Sequence, residues 1–243
     1  GLGDVYKRQE LIKWLVNDFR VDKNAAVSII NYFKEQLAFA GIVPSHRKII
    51  IEEYYDARGR QNIIFHAGFG RRVVDALSRA YAFVISNKIK GNVSTTITDN
   101  GFMLTLPFGK TFDLEKIKDL IAPDELEYVL KRAIRNTELF NLRFRHCATR
   151  SFMVLRKYRG HSISVSRQSL RAKKVLTALE MHPNFPVLKE TYREILEDLM
   201  DIHNARQVLQ WISEGKSEYI ILRSGTTPSP FAHSLILTGA EDV

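Results

Sequence analysis

The chain is short of the residues that cross-link a fold. Its single cysteine, Cys147, excludes an intramolecular disulfide and every multi-cysteine zinc site. Such thiol usage suits a reducing interior, so the expected location is cytoplasmic. The apolar runs are also short: Ile49-Ile50-Ile51 falls far below the ~18–20 residues needed to span a bilayer. With no signal peptide or lipidation box recognised either, no membrane partner is expected. What is present suits a packed core: 243 residues, 45% hydrophobic and 10% aromatic, enough for one large domain or two small ones. A net charge of +9 and a pI near 9.6 point to an anionic partner.

Residues 1–9, Gly1-Leu2-Gly3-Asp4-Val5-Tyr6-Lys7-Arg8-Gln9, match the in-frame translation of a transposase-type sequencing adaptor. They are set aside as non-native, and the natural frame is expected to be cut at Glu10, making this an internal piece of a longer protein. From there the period is helical over 10–19 and 22–40, with Asp22 as N-cap and Gly41 as the stop. Ala26, Ile29, Ile30, Phe33 and Leu37 form the apolar stripe of the second helix. Lys48–Tyr55 and Asn62–His66 read as a hairpin around a five-residue loop at Asp56–Arg60. Val93–Thr98 and Phe102–Leu106 read as another around Asp99-Asn100-Gly101, with a helix over 71–88 between the two. Beyond Pro107 helices are expected over 113–121, 124–135, 137–159, 167–181, 186–200 and 204–213. Closing strands are placed at Glu218–Arg223 and Ser234–Leu237. The fold class is α+β, a helical module with antiparallel hairpins in its first half and a mostly helical second half. The composition shift near 107–123 divides it into a mixed subdomain, 10–110, and a basic helical one, 111–243.

Charge is concentrated. Between Lys131 and Lys174 lie thirteen basic residues and one acid, Glu138, a local charge of +12, while the remainder carries −3. On the expected helix 137–159, Phe140, Phe144, Cys147, Ala148, Ser151 and Leu155 share the core-facing arc. Arg143, Arg150 and Lys157 would align on one flank, and Arg145, Arg156 and Arg159 on the other. Guanidinium groups along a helix edge suit a phosphate chain, because each offers a planar fork of donors. The alternatives are a solvated face, Arg stems paired with the chain's own acids, or an anionic membrane surface. Gly68-Phe69-Gly70-Arg71-Arg72 opens a helix and reads either as a seat for one phosphate or as a tight turn with two exposed arginines.

Other patterns carry less. Gly109-Lys110-Thr111 imitates a phosphate-cradling loop, but Leu104 stands where that loop needs glycine. Ile49-Ile50-Ile51-Glu52 imitates an ATPase's acidic strand in the reverse of the usual order, so ATP binding by this chain is not expected. Glu190, Glu194, Glu197 and Asp201 share a helix face, with Asp198 beside them. They would serve either a two-metal nuclease or the pairing of a basic neighbour. No histidine pair has metal-ligand spacing, and Ser162–Ser169 lacks a nucleophile elbow. Cys147, Trp14 and Trp211 are expected in the core.

Five stretches in order resemble a known family: His66–Val73, Thr98–Phe102, Phe144–Arg150, Phe185–Glu194 and Pro228–Ala232. Together they resemble the region following the motor of the large helicase-related (Lhr) family of superfamily-2 helicases, its DEAD/H-associated domain. The resemblance runs from Glu10 to Val243. It implies a parent that hydrolyses ATP with Mg in RecA-type motor domains and translocates 3′ to 5′ on single-stranded DNA, unwinding duplexes or DNA–RNA hybrids. Motor and winged-helix domains would precede this region of the same chain. The region itself would form a lid over the exiting strand, with no cofactor and no chemistry of its own. By position, Arg71 and Arg72 match the family's glycine-turn motif, and Arg145 and Arg150 its Phe-Arg…Arg helix. Leu77 falls where some relatives present an aromatic ring to a base, with Tyr81 one turn on as a substitute. The expected contacts to the strand are therefore Arg143, Arg145, Arg150, Arg156, Lys157 and Arg159, with Arg71, Arg72, Arg167 and Arg171 as secondary ones. The rival readings are a metal-dependent nucleic-acid-processing enzyme using the carboxylate stripe, and a scaffold whose basic helix is paired internally.

Overall fold

The computed structural model describes residues 2–241, with side chains over 7–239. Two helices lead, α1 (Leu2–Phe19) and α2 (Lys23–Ala40). Asp22 caps α2 by accepting from the Asn24 and Ala25 amides, and Gly41, at φ 67°, ends it in the left-handed region. Of the stripe expected to face the core, Ala26 and Ile30 are buried, whereas Ile29, Phe33 and Leu37 are exposed. Trp14 is exposed as well, against expectation, and Trp211 is half-buried.

The hairpin β1 (Lys48–Tyr55) and β2 (Gln61–His66) follows. Its loop is held by Asp56, whose carboxylate accepts from the Arg58 and Arg60 amides and from Arg60 Nε. After α3 (Arg71–Ile89) comes the hairpin β3 (Ser94–Thr98) and β4 (Gly101–Thr105). Gly101 is obligatory there, since a Cβ would lie 2.0 Å from the Phe65 carbonyl oxygen. A final strand, β7 (Glu218–Gly225), completes a five-stranded sheet of order β3-β4-β2-β1-β7. All neighbours are antiparallel except β1 and β7, which run parallel. The wholly antiparallel expectation is corrected at that edge: the chain reaches β7 only after traversing the helical half, and it enters from the same end as β1.

Alternation divides the sheet into two faces. Ile49, Ile51, Ile63, Phe65, Phe102 and Leu104 join the main core with α3. Ile64 and Met103 face the other way, under a 3₁₀ turn (Pro230–Ala232) and helix α9 (His233–Glu241). That second face also carries Glu52, fully buried. Its carboxylate accepts from His66 Nε2 at 2.8 Å, from the Ser224 hydroxyl at 2.7 Å, and from both the amide and the hydroxyl of Ser229 at 2.6 Å. Burial alone would raise its pKa, but the bonds from His66, Ser229 and Ser224 outweigh burial and hold it below the ordinary glutamate value.

The second half packs on α3. A 3₁₀ turn at Leu114–Lys116 replaces the helix expected over 113–121. Then come α4 (Leu126–Ile134), α5 (Glu138–Arg150), a two-residue hairpin β5 (Lys157–Tyr158) and β6 (His161–Ser162), and α6 (Val165–Ala178). After α7 (Pro186–Arg193) the helix widens into a π segment, Glu194–Leu199, before α8 (Ile202–Ser213). Two expectations fail here. Helix 137–159 stops at Arg150, because Phe152 turns into the left-handed region (φ 59°) and buries Val154 in place of Leu155, which is exposed. The strand expected at Ser234–Leu237 lies instead within α9, whose face toward β3 and β4 is set by Leu235 and Ile236.

Replacing Glu52 by Gln is expected to cost about 2–4 kcal/mol at pH 7, read from urea unfolding. Because the folded pKa is depressed, this stabilisation is complete above the value of an unfolded glutamate, about 4.3, and fades as pH falls through the folded value. The difference between wild type and variant should therefore close in acid. A difference that is absent at neutral pH, or that widens on acidification, contradicts the assignment.

Candidate nucleic-acid interface

The basic stretch occupies α5, the small hairpin and α6. Of the arc expected to face the core, Phe140, Phe144, Cys147 and Ala148 do so, whereas Ser151, which ends α5, is exposed. Burial pushes the Cys147 thiol up, so it stays protonated. One face of α5 lies against the start of the π segment, where Glu194 is nearly enclosed, its side chain 6% exposed. Its carboxylate pairs with Arg150 and, at 3.4 Å, with Arg143. A single buried acid thus neutralises part of the α5 flank.

A second staple joins the start of α3 to the far end of the same segment. The Arg72 guanidinium donates to the carbonyls of Glu197 and, at 2.9 Å, Met200, while the Asp201 amide returns a bond of 3.3 Å to the Arg72 carbonyl. A π turn shifts its hydrogen bonds by one residue, as from the Met200 amide to the Ile195 carbonyl, and leaves end carbonyls for a side-chain donor. Arg71, by contrast, is exposed, with its nearest carboxylate, Asp99, at 3.9 Å.

The remaining basic residues are differently placed. Of the thirteen between 131 and 174, Lys131, Arg143 and Arg150 pair with carboxylates; among the described residues the other ten do not. Arg132 and Arg135 lie over aromatic rings, Arg135 at 5.0 Å from Phe140. Arg145 reaches across to α6 and donates to Ser169 Oγ at 2.9 Å. Arg156, Lys157, Arg159, Arg167 and Arg171 are exposed. The hairpin turns on Arg159 and Gly160, both at positive φ (49° and 81°), which presents Lys157 and Arg159 at its tip. Between α5, the following loop and the start of α6 is a cleft of about 330 Å³, with Arg143, Arg145, His146, Arg150 and Arg156 in its walls. Burial, then Arg145, Arg143 and Arg150, depress the His146 pKa against the opposing pull of Glu194, so the imidazole is neutral at pH 7.

Lys157, Arg156 and Arg159 therefore do not extend the flanks of α5; the strand-turn-strand carries them to the same neighbourhood by another route. Arg-Gly at 159–160 was the available signal for that turn. Leu77 and Tyr81 are both core residues, and Tyr81 bonds Tyr219 at 2.7 Å, with burial pushing its pKa up to about 12. Tyr81 is thus no base platform. The carboxylate stripe disperses: Glu190, Glu197 and Asp198 surround Arg193, Glu194 faces α5, and Asp201 caps α8. Among the described residues no three His, Cys, Asp or Glu side chains gather where they could hold a metal ion. Neither look-alike of a nucleotide-binding motif has that motif's geometry. Lys110 closes a turn on the Pro107 carbonyl, Leu104 is a buried strand residue, and Glu52 is committed to its four donors. The sequence offered Glu194 for pairing with a basic neighbour, and Arg143 and Arg150 are that neighbour; the bonds from Ser224 and Ser229 to Glu52 left no local signal, because they span 172 and 177 positions.

The class is given by comparison: the DEAD/H associated family profile matches residues 43–232, and the chain belongs to that family. More particularly, it is a region of an Lhr-type helicase. It is similar to the ATP-dependent helicase Lhr-Core of Saccharolobus solfataricus, 43% identical over 237 residues, covering 96% of this chain and 27% of that protein. The Lhr-Core helicase of Methanothermobacter thermautotrophicus is 45% identical over 237 residues, covering 97% and 27%. Among solved structures, Mycobacterium smegmatis helicase Lhr bound to ssDNA and AMP-PNP matches with a TM-score of 0.79 at 26% identity, covering 94% of this chain and 29% of that one. The chain spans little more than a quarter of the length of these relatives. Among its described residues no helix is long and apolar enough to cross a membrane.

Arg150→Ala is expected to destabilise the fold by about 1–2 kcal/mol in urea unfolding. This is less than a fully buried pair would lose, because the Arg150 side chain is 60% exposed and water screens it. In Glu194→Gln the same arginine change should cost clearly less. Additive effects would mean that the two side chains are uncoupled.

Proposed function

We propose that this region binds single-stranded nucleic acid, DNA in the first place, and guides it behind the ATP-driven RecA-type motor of the same polypeptide. It adds backbone contacts and no chemistry of its own. One observation supports this above others. Ten of the thirteen basic residues between 131 and 174 have no carboxylate partner among the described residues, and seven of them (Arg156, Lys157, Arg159, Arg167, Arg171, Lys173 and Lys174) lie exposed at the hairpin and along α6. Holding that many cations together opposes folding unless a polyanion relieves it, and a sequence-independent strand contact has that chemistry. The relative from Mycobacterium smegmatis was solved with single-stranded DNA and a nucleotide analogue, which fits the same division of labour. ATP and Mg belong, in this proposal, to motor domains elsewhere in the protein, with a winged helix adjoining them.

The proposed track runs through Arg145, Arg156, Lys157, Arg159, Arg167 and Arg171, with Arg71 as an outlying contact. Arg72, Arg143 and Arg150 act mainly by fixing the π segment and α5 beneath it. The internally paired scaffold reading thus describes part of the basic stretch, and Glu194 is where it applies.

For a labelled oligo-dT, log K should fall linearly with log salt. Replacing Arg156, Lys157 and Arg159 together by Ala should make the slope shallower by about 2, at ~0.7 per lost phosphate contact on a single strand. An unchanged slope and affinity would remove the hairpin from the interface. An anion in the cleft would also raise the depressed His146 pKa. Binding should therefore tighten as pH drops toward 6, and His146→Ala should flatten that dependence.

A further inference from the structure

Four stretches widely separated in sequence meet around a second cavity, remote in sequence from the basic hairpin. They are Pro44-Ser45-His46 before β1, the His66–Gly70 turn before α3, the Asp99-Asn100 turn between β3 and β4, and the Pro230–Ala232 turn before α9. With the exposed side of α2 they enclose about 460 Å³, an ordinary size for a small-molecule site.

The walls are aromatic. Phe231 stacks on Tyr32 (centroids 4.6 Å apart, planes at 26°) and meets Phe33 edge-on at 5.1 Å. The Tyr32 hydroxyl donates to the Pro230 carbonyl and the Phe231 amide to Gln36 Oε1, so the cluster is fixed to α2. Phe33 is nevertheless 45% exposed, and Phe69 stands half-buried in the same lining. The polar side chains in the lining are Ser45, His46, His66 and Asn100, besides the Tyr32 hydroxyl. His66 is 3% exposed, and its Nε2 is committed to Glu52, which leaves Nδ1 without a partner among the described residues. Asn100 brings an exposed amide with both a donor and acceptors. Arg71 stands beside the Asp99-Asn100 turn, 3.9 Å from the Asp99 carboxylate.

We propose that this cavity receives a nucleobase. A flat heterocycle whose edge carries N–H donors and acceptors matches rings for its faces, and His66 Nδ1 and the Asn100 amide for its edge. Arg71 lies where a phosphate attached to that base would be held. A purely aliphatic ligand would leave His66 and Asn100 unanswered, and a bare anion has no use for the rings. The proposal deepens the single-strand reading and rests on it only for the source of the base. A strand threaded past Arg71 would supply one, and so would a free nucleoside or nucleotide.

The test uses the whole chain and two kinds of probe. Oligo-dT is compared with an abasic oligonucleotide of the same phosphate count, and adenosine and thymidine are titrated separately while backbone amide NMR shifts are followed. The nucleosides should shift Phe33, Phe69, Asn100 and Phe231. The base-bearing strand should bind about 5- to 100-fold more tightly than the abasic one. Phe33→Ala and Phe231→Leu should remove both effects and leave the salt slope intact. Asn100→Ala, a change that keeps Gly101 and the backbone bond from the Ala67 amide to the Asn100 carbonyl, should weaken them, with urea unfolding checking that the turn is kept. Nucleoside shifts with no difference between the two strands would identify free nucleosides as the source. Nucleoside binding without any strand binding would sink the single-strand reading and keep the pocket. No nucleoside shift in the lining, or full discrimination surviving in the Phe33, Phe231 and Asn100 variants, overturns the proposal.

Discussion

A carboxylate with no access to water organises this molecule. Burying an ionised glutamate is unfavourable by several kcal/mol unless every lone pair is met. Glu52 meets that condition with donors from β2, from the end of β7 and from the turn before α9. Side chains that solve one electrostatic problem thereby fix where three strands and a helix must lie. The hydrophobic core is larger, but it would tolerate many packings; Glu52 tolerates very few. The same lock sets the Pro230–Ala232 turn against α2, and with it the rings of the aromatic cavity.

Electrostatics divides the helical half differently. Glu194 anchors α5 through Arg143 and Arg150, and Arg72 seals the end of the π segment. Beyond those, cations accumulate on the hairpin and α6 with no carboxylate to answer them among the described residues. Within the basic stretch, carboxylate pairing is found where α5 meets the π segment and, among the described residues, is lacking on the exposed hairpin and α6. That separation of roles distinguishes structural arginines from available ones more clearly than their spacing in the chain.

Much of the fold was legible because its signals are local. Asp22 and Gly41 bracket α2 as a cap and a stop should, and Asp56–Arg60 and Asp99-Asn100-Gly101 turn their hairpins where the residues demand. The errors arose where a local pattern was outweighed by distant contacts. The helical period through Leu155 was genuine, but Val154 reaches the core once Phe152 turns, and Arg159-Gly160 closes a hairpin instead. Ser234–Leu237 has a short apolar alternation that suits a strand, yet only a helix lets Leu235 and Ile236 both meet the back of the sheet. The parallel pairing of β7 could not be read at all, since nothing within either strand specifies its neighbour. Of the site, the concentration of charge was visible in composition alone. The division of arginines into paired and unpaired was not, because Glu194 is some fifty positions from Arg143.

The parallel edge strand has a consequence for the order of folding. Ser229 meets Glu52 across 177 positions of chain, and β7 pairs with β1 over a comparable span. During synthesis the first hairpin must therefore wait, one edge open and Glu52 answered by His66 alone, while the entire helical layer is made. Topologies with such distant pairings fold slowly and expose unpaired edges meanwhile. A nascent chain halted before Glu218 would display β1 as a bare template, so this module should lean on trigger-type or holdase chaperones until its last strand emerges from the ribosome.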